Sequence, residues 1–319
     1  MKKVTIAIAM YNHAQYLSEC ISSALNQTYK NIEILAVNDA STDQTHNIVQ
    51  SFMPYSKIRY YKNEKNIGIV KTYNKLLELA DGHYFMILGD DDILGMDYIE
   101  RTVMVMEERP SCRVAFGRNV ILNQDSSVSK ELISTFGRYI SGLEYCNLWL
   151  SGHPTFQQHA FIMMFCPVDI VRKAGGFPDF QMAQHADNAL FIKMIIDGDV
   201  GYDSQADYYY RVYSQSYGNQ HVAEVGEATL QFLEYFKTDI LPKLVFLKGN
   251  NVARKMLKNL NGLLIETFIH RILKYYAPNH SIRECINLLT VFNKQNSLSY
   301  YKFILKYFIL KHGIKKEKD

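Results

Sequence analysis

Three consecutive aspartates, Asp90, Asp91 and Asp92, follow the apolar run Tyr84-Leu88 with only Gly89 between. Carboxylates at successive positions repel one another unless a cation lies among them. A hard divalent ion suits the role, because oxygen ligands favour Mg²⁺ or Mn²⁺ and such ions also bridge the oxygens of a diphosphate. The chemistry would be the stabilisation of a departing diphosphate. The plainer alternative is an acidic turn that caps the next helix. Two further acids stand in polar clusters: Asp39 in Val37-Asn38-Asp39-Ala40-Ser41-Thr42-Asp43, and Asp187 in His185-Ala186-Asp187-Asn188. Taken alone, Asp39 reads as a turn residue and Asp187 as a charge in the first turn of a helix.

The elements that must position these acids alternate in type along the first 120 residues. Val4-Ala9, Ile32-Val37, Ile58-Tyr61 and Tyr84-Leu88 read as strands, and the spacing of Leu17, Cys20, Ile21, Ala24 and Leu25 predicts a helix between the first two. Ser41-Thr42-Asp43 offers an N-cap for a helix through Ile48, Val49 and Phe52, and Val70-Leu79 reads as another helix. Strands separated by helices of this length form a parallel sheet with right-handed crossovers. Ligands on such a sheet bind beyond the carboxyl ends of its strands. Those ends carry Tyr11-Asn12, Asn38-Asp43 and Gly89-Asp92, which should converge. Neither G-x-G-x-x-G nor G-x-x-x-x-G-K-[ST] occurs at these turns, which argues against a dinucleotide dehydrogenase and a P-loop enzyme.

The 319 residues, 48% of them hydrophobic, suffice for a buried core. Residues 241–319 hold 15 Lys/Arg and 4 Asp/Glu, a net +11, which leaves −8 for residues 1–240 out of the overall +3. That split argues against nucleic-acid binding by the α/β part and points the basic end at an anionic surface. Five scattered cysteines without a C-x-x-C pair fit a reducing compartment. The N-terminal apolar run is short for a signal peptide, and no stretch reaches the roughly 18 apolar residues of a membrane span. A cytoplasmic protein is expected. His153, His159 and His185 match no compact zinc spacing.

Asp39 in its cluster, Asn66-x-Gly68 with Asn74 beyond, and the strand ending Leu88-Gly89-Asp90-Asp91-Asp92 resemble the successive motifs of family 2 inverting glycosyltransferases. Gly175-Gly176-Phe177-Pro178-Asp179 followed by His185-Ala186-Asp187 resembles the same family's later motifs. The resemblance covers roughly residues 1–215. It implies an α/β GT-A fold with a mostly parallel sheet, flanking helices and a helical basic C-terminal region. It also implies a nucleoside-diphosphate sugar as donor, usually uridine-linked, and inversion of the anomeric centre. On this reading Asp187 is the catalytic base, Asp39 contacts the nucleotide base, and Asp90 and Asp92 hold Mn²⁺ or Mg²⁺. Tyr11, Asn12, Asn66, Gly68, Lys71, Asp90, Asp91 and Arg211 are the remaining donor-side candidates, with Lys71 in place of an arginine common in the family where this chain has Tyr73. The sequence departs from the family at Met10, Asn38, Gly89 and Ala186. Two registers stay open: Asp90 with Asp92 as a D-x-D, or Asp91 and Asp92 as the last two acids of D-x-D-D.

Expected boundaries are 1–120 for the donor half of the domain, 121–223 for the acceptor half and 224–319 for a helical extension. The acceptor would be a saccharide, lipid-linked if Tyr300-Lys311 with its lysines lies on an anionic membrane from the cytoplasmic side. Otherwise that segment is a packed helix or a contact in a homo-oligomer. Two competing classes are a nucleotidyltransferase and a catalytically silent scaffold. Against the first, no glycine- and lysine-rich loop follows the first strand; against the second, all five acids are present.

Overall fold

The computed structural model describes residues 1–132, 134, 136–152, 163–212 and 222–277, with short helical pieces at 283–284 and 287–288. The chain divides into two units: residues 1–179 with 186–213, and residues 180–185 with 214–319.

In the first unit the strands β1 (Val4–Met10) and β2 (Ile32–Asn38) are buried along their whole length. Continuous apolar runs of this kind suit a parallel sheet covered on both faces. Between them α1 (Ala14–Leu25) turns Tyr16, Leu17, Cys20, Ile21 and Ala24 inward, at helical spacing. The helices α2 (Thr45–Phe52) and α3 (Ile69–Leu79) likewise return the chain to β3 (Ile58–Lys62) and β4 (Tyr84–Ile87). After β5 (Ile93–Leu94) come α4 (Tyr98–Glu108), β6 (Cys112–Leu122), β7 (Val128–Leu132), β8 (Tyr139–Ser141) and α5 (Gly142–Leu150). Then follow β9 (Cys166–Pro167), α6 (Val168–Lys173), α7 (Ala186–Ile195) and β10 (Asp199–Arg211).

One sheet has the order β3-β2-β1-β4-β9, parallel except for β9. A second has the order β5-β10-β6-β7, with β8 also paired to β10. The expected strands and helices of the first 90 residues are present, each within one or two residues at most ends.

In the second unit a short turn at Gln181–Ala183, α8 (Val222–Tyr235), α9 (Leu241–Lys248) and α10 (Asn250–Arg271) are joined and extended by π-helical turns at Phe236–Ile240 and Ile272–Tyr276. Val222, Val225, Ile265, Phe268, Ile269 and Ile272 form its own core. Pro242, in the first turn of α9, comes just after the π-helical turn at Phe236–Ile240, a place where a helix accommodates an irregular hydrogen-bond ladder. Residues 300–319, His153 and His159 lie outside the described residues.

Candidate active site

The carboxyl ends of β1, β2 and β4 do bring their clusters together. At the end of β1, Asn12 adopts φ 57°, and its side-chain oxygen accepts the Thr42 amide at 2.9 Å while its own amide donates to Ser41 Oγ. Asparagine tolerates this left-handed conformation better than most residues. Asp43 accepts the amides of Ala14 and Thr45, so one carboxylate ties the starts of α1 and α2.

Asp39 is buried and organises the next loop. Its Oδ1 accepts Asn63 Nδ2 at 2.7 Å and the Ile67 amide, and its Oδ2 accepts the Gly68 amide at 2.9 Å. Asn66 Oδ1 accepts that same Gly68 amide. Gly68 sits at φ 88°, a left-handed conformation that a Cβ would strain. Lys71, in the first turn of α3, lies 3.7 Å from Asp179, both side chains being well exposed. Asn74 clasps the Phe177 amide and carbonyl across 103 residues of chain.

The three aspartates part company. Asp90 Oδ2 accepts the Tyr11 amide at 3.1 Å, and Oδ1 lies 2.8 Å from His13 Nδ1. The hydrogen bond to Asp90, opposed by burial and reinforced by the charges of Asp90, Asp91 and Asp43, pushes the His13 imidazole up to about 9. His13, Asp90 and Asp91 can place ligand atoms within 4.8 Å of one another. Two carboxylates and an imidazole fit a divalent ion, and the nitrogen admits Mn²⁺ better than an all-oxygen Mg²⁺ set. Ion binding would displace the histidine proton.

Asp92 turns the other way. It is 2% exposed, and its oxygens accept Tyr208 Oη and the Arg211 amide, both at 2.9 Å. Burial, then the charge of Asp91, raises its carboxyl well above the usual range despite those bonds. Asp92, expected beside Asp90 on a metal, is thus turned toward β10, and the group whose ligand atoms come together is His13, Asp90 and Asp91. A Cβ at Gly89 would lie 2.5 Å from Asp92 Oδ2, so a side chain there would have to displace that carboxylate.

Arg211, expected on the donor diphosphate, is buried instead. Its guanidinium bonds the Asp91 carbonyl, Ser126 Oγ and Glu19, and lies 4.4 Å over the Tyr16 ring. Its side chain has no exposed surface, so in this conformation it braces the aspartate turn and does not reach outward.

Asp187 stands in the first turn of α7, half-buried, where it also accepts the Asn188 amide. Its charge reaches two phenols that the triad also reaches. The Tyr73 phenol is raised by burial, then by Asp90, Asp187, Asp91 and Asp92. Tyr210 is pushed up to about 12 by burial, then by Asp92, Asp91 and Asp187. Sequence reading missed His13 and the inward turn of Asp92. The position of His13, three residues past the end of β1, was the available signal.

The sequence profile described as Glycosyl transferase family 2 matches residues 5–170. The chain is 31% identical over 144 residues to glycosyltransferase GlyG of Streptococcus pneumoniae, 45% of each chain, and 37% identical over 106 residues to an uncharacterised glycosyltransferase of Haemophilus influenzae, 33% of each. The matched segments therefore span less than half the length of these relatives. An uncharacterised glycosyltransferase of Rickettsia typhi is 26% identical over 314 residues, 98% of this chain and 92% of that one. Among solved structures, residues 1–349 of S. aureus TarS in complex with UDP-GlcNAc superpose with a TM-score of 0.69 at 15% identity, covering 99% of this chain and 94% of that one. The mannosyltransferase PcManGT of Pyrobaculum calidifontis, in complex with GDP-Man and Mn²⁺, gives 0.54 at 15% identity, covering 99% and 88%. At such identities these two likenesses speak for the fold. The matched span runs from β1 to the start of α6 and contains Asp39, the glycine turn and all three aspartates: the chain belongs to glycosyl transferase family 2.

Proposed function

We propose that the protein transfers a glycosyl group from a UDP-sugar to a saccharide hydroxyl, with inversion and with Mn²⁺ or Mg²⁺ as cofactor. The observation that carries this reading is the shared neighbourhood of Asp187 and the aspartate triad around Tyr73 and Tyr210. A carboxylate on α7 whose charge reaches the same two phenols as the donor acids supports the one-step displacement proposed here. The complexes of TarS with UDP-GlcNAc and of PcManGT with GDP-Man and Mn²⁺ support the donor class.

His13, Asp90 and Asp91 would hold the ion, which when bound supplies charge neutralisation for the departing diphosphate. Asp39 fixes the 63–68 loop and uses three of its roughly four acceptor positions in doing so, leaving about one for the N–H of a uracil. Tyr11, Asn12, Asn66, Gly68 and Lys71 line the donor side. Asp92 and Arg211 brace the turn from beneath. Asp187 takes the proton of the acceptor hydroxyl as its oxygen bonds the anomeric carbon and the bond to the diphosphate breaks.

Replacing Asp187 by asparagine keeps the shape and removes the base. Transfer in Asp187→Asn should fall at least about a hundredfold while UDP and Mn²⁺ affinity stay near wild type. Normal turnover would transfer the role to another acid, Asp179 first.

The acceptor side of the proposal is a lipid-linked saccharide at an anionic membrane. Between residues 236 and 277 lie eight Lys/Arg and two Asp/Glu, and Phe246 on α9 is 88% exposed. No helix among the described residues is long and apolar enough to cross a membrane. Each lysine near an anionic headgroup contributes about 1 kcal/mol, an attraction that salt weakens. The protein should sediment with anionic liposomes at low salt and release as salt rises; indifference to such liposomes would leave this surface to a partner protein.

A further inference from the structure

Asp90 and Asp91 sit in the turn Gly89-Asp92, which runs from β4 of the first sheet to β5 of the second. The Asp92 amide closes this turn on the Gly89 carbonyl at 3.1 Å. Just beyond it, β5 pairs antiparallel with β10 in a register that sets Leu94 against Tyr208, and the Gly95 amide donates to the Asp207 carbonyl at 2.8 Å. The pairing brings Tyr208 beside the turn.

Tyr208 is fully buried, and its ring packs edge-on against that of Tyr98, with centroids 5.8 Å apart. Its hydroxyl bonds two groups, and both belong to the turn. Oη accepts the Gly89 amide at 3.3 Å and donates to Asp92 Oδ2 at 2.9 Å, so one oxygen joins the first residue of the turn to the last. The Gly89 carbonyl also accepts the Cys20 thiol at 3.2 Å, and the Arg211 guanidinium holds the Asp91 carbonyl at 2.8 Å. The turn is thus tied at the Gly89 peptide, the Asp91 carbonyl and the Asp92 carboxylate. The carboxylates of Asp90 and Asp91 are the two that, with His13, place ligand atoms within 4.8 Å of one another.

A buried phenol needs one acceptor for its proton, and Asp92 supplies it. The second bond, from Gly89, orients the peptide that leads into Asp90. Loss of Oη leaves the Gly89 amide and a buried oxygen of Asp92 each short of a partner, which favours a shifted turn. Metal ligands depend on such supports, because the carboxylates must be oriented before the ion arrives. We infer that Tyr208 is a positioning residue for the proposed metal site: through the Gly89 amide and the Asp92 carboxylate it sets the direction in which Asp90 and Asp91 are presented. The inference rests on the metal assignment made above.

The test is Mn²⁺ binding to the full chain with UDP present, followed by the electron paramagnetic resonance signal of the free ion, with uridine binding in the absence of metal as a second measurement. Tyr208→Phe keeps the ring and removes only the oxygen. Its Mn²⁺ affinity should fall about tenfold, the usual effect of losing a support behind a metal ligand. Uridine affinity, which depends on Asp39 and the 63–68 loop, should stay at the wild-type value. Cys20→Ala removes the other side-chain hold on Gly89 and should also weaken Mn²⁺ binding; it decides the matter if Tyr208→Phe does not fold. Wild-type Mn²⁺ affinity in the deciding variant overturns the inference, as does an equal loss of uridine affinity, which would mean a general loosening of the fold. Asp91→Asn is the control and should lose Mn²⁺ binding. If it binds the ion as wild type does, the metal assignment itself fails and takes this inference with it, whereas loss in Asp91→Asn with none in Tyr208→Phe removes only the role of Tyr208.

Discussion

The parallel sheet carries a polar cluster at each end, and the two are built on opposite principles. At the amino end Glu33, 3% exposed, accepts Lys3, Thr5, Arg59 and the Asp81 amide, and Arg59 also bonds Asp81. Two acids meet two bases there, and every oxygen of Glu33 is satisfied. At the carboxyl end Asp90, Asp91 and Asp92 follow one another in a single turn, with His13 against Asp90, while the Arg211 guanidinium gives its ion pair to Glu19. A balanced buried cluster serves the fold, whereas an unbalanced one stores repulsion that a cation can relieve. The comparison separates the two kinds of polar residue by charge closure, since depth of burial alone would not.

The largest effect expected from this contrast is at Asp91. Asp91→Asn should lower kcat/KM with Mn²⁺ by about 10³-fold, as expected for loss of a group that holds the charge-neutralising ion. Its melting temperature should hold or rise, because one repelling charge is gone. A variant that melts well below wild type would break the comparison, placing Asp91 in the balanced class.

At the other end the sign reverses. Glu33→Gln leaves two cations facing a neutral group and should cost about 2–3 kcal/mol of stability, a figure reduced from the usual buried-pair value because Lys3 and Arg59 are each about a third exposed. Activity per folded molecule should be unchanged. Although burial alone would raise the Glu33 carboxyl, its hydrogen bonds from Lys3, Thr5, the Asp81 amide and Arg59 hold it below the usual range. A depressed folded value contributes stability that is complete above the unfolded value, 4.5, and is lost as pH falls through the folded one. Thermal melts from pH 6 downward should therefore lose stability below about 4.5 in wild type, and less so in Glu33→Gln. Equal pH slopes in both proteins would remove Glu33 from the account.

The smallest effect is at Gly68. With open space where a Cβ would stand but φ at 88°, Gly68→Ala should cost about 1 kcal/mol through backbone strain alone, measured by denaturant midpoint. Donor affinity should drop with it, because Asp39 and Asn66 both grip this amide. An unchanged midpoint would show that the loop relaxes freely.

Much of this was legible in the residues themselves. Apolar runs of strand length separated by helical spacings determined the parallel sheet, and the sheet's own geometry determined that residues 11–12, 38–43 and 89–92 share one edge. The motif order determined the family. What the sequence left open was the fate of three adjacent aspartates, and the reason is geometric: successive side chains in a tight turn leave the backbone in different directions, and identical residues give no sign of which goes where. Tertiary partners decided it. Tyr208 and Arg211, more than 110 residues downstream, draw Asp92 into the second sheet, while His13, 77 residues upstream, receives Asp90. The role of Arg211 followed from the same cause. A guanidinium that suits a diphosphate also suits the Asp91 carbonyl, the Ser126 hydroxyl and the Glu19 carboxylate, and only the folded chain shows which it meets.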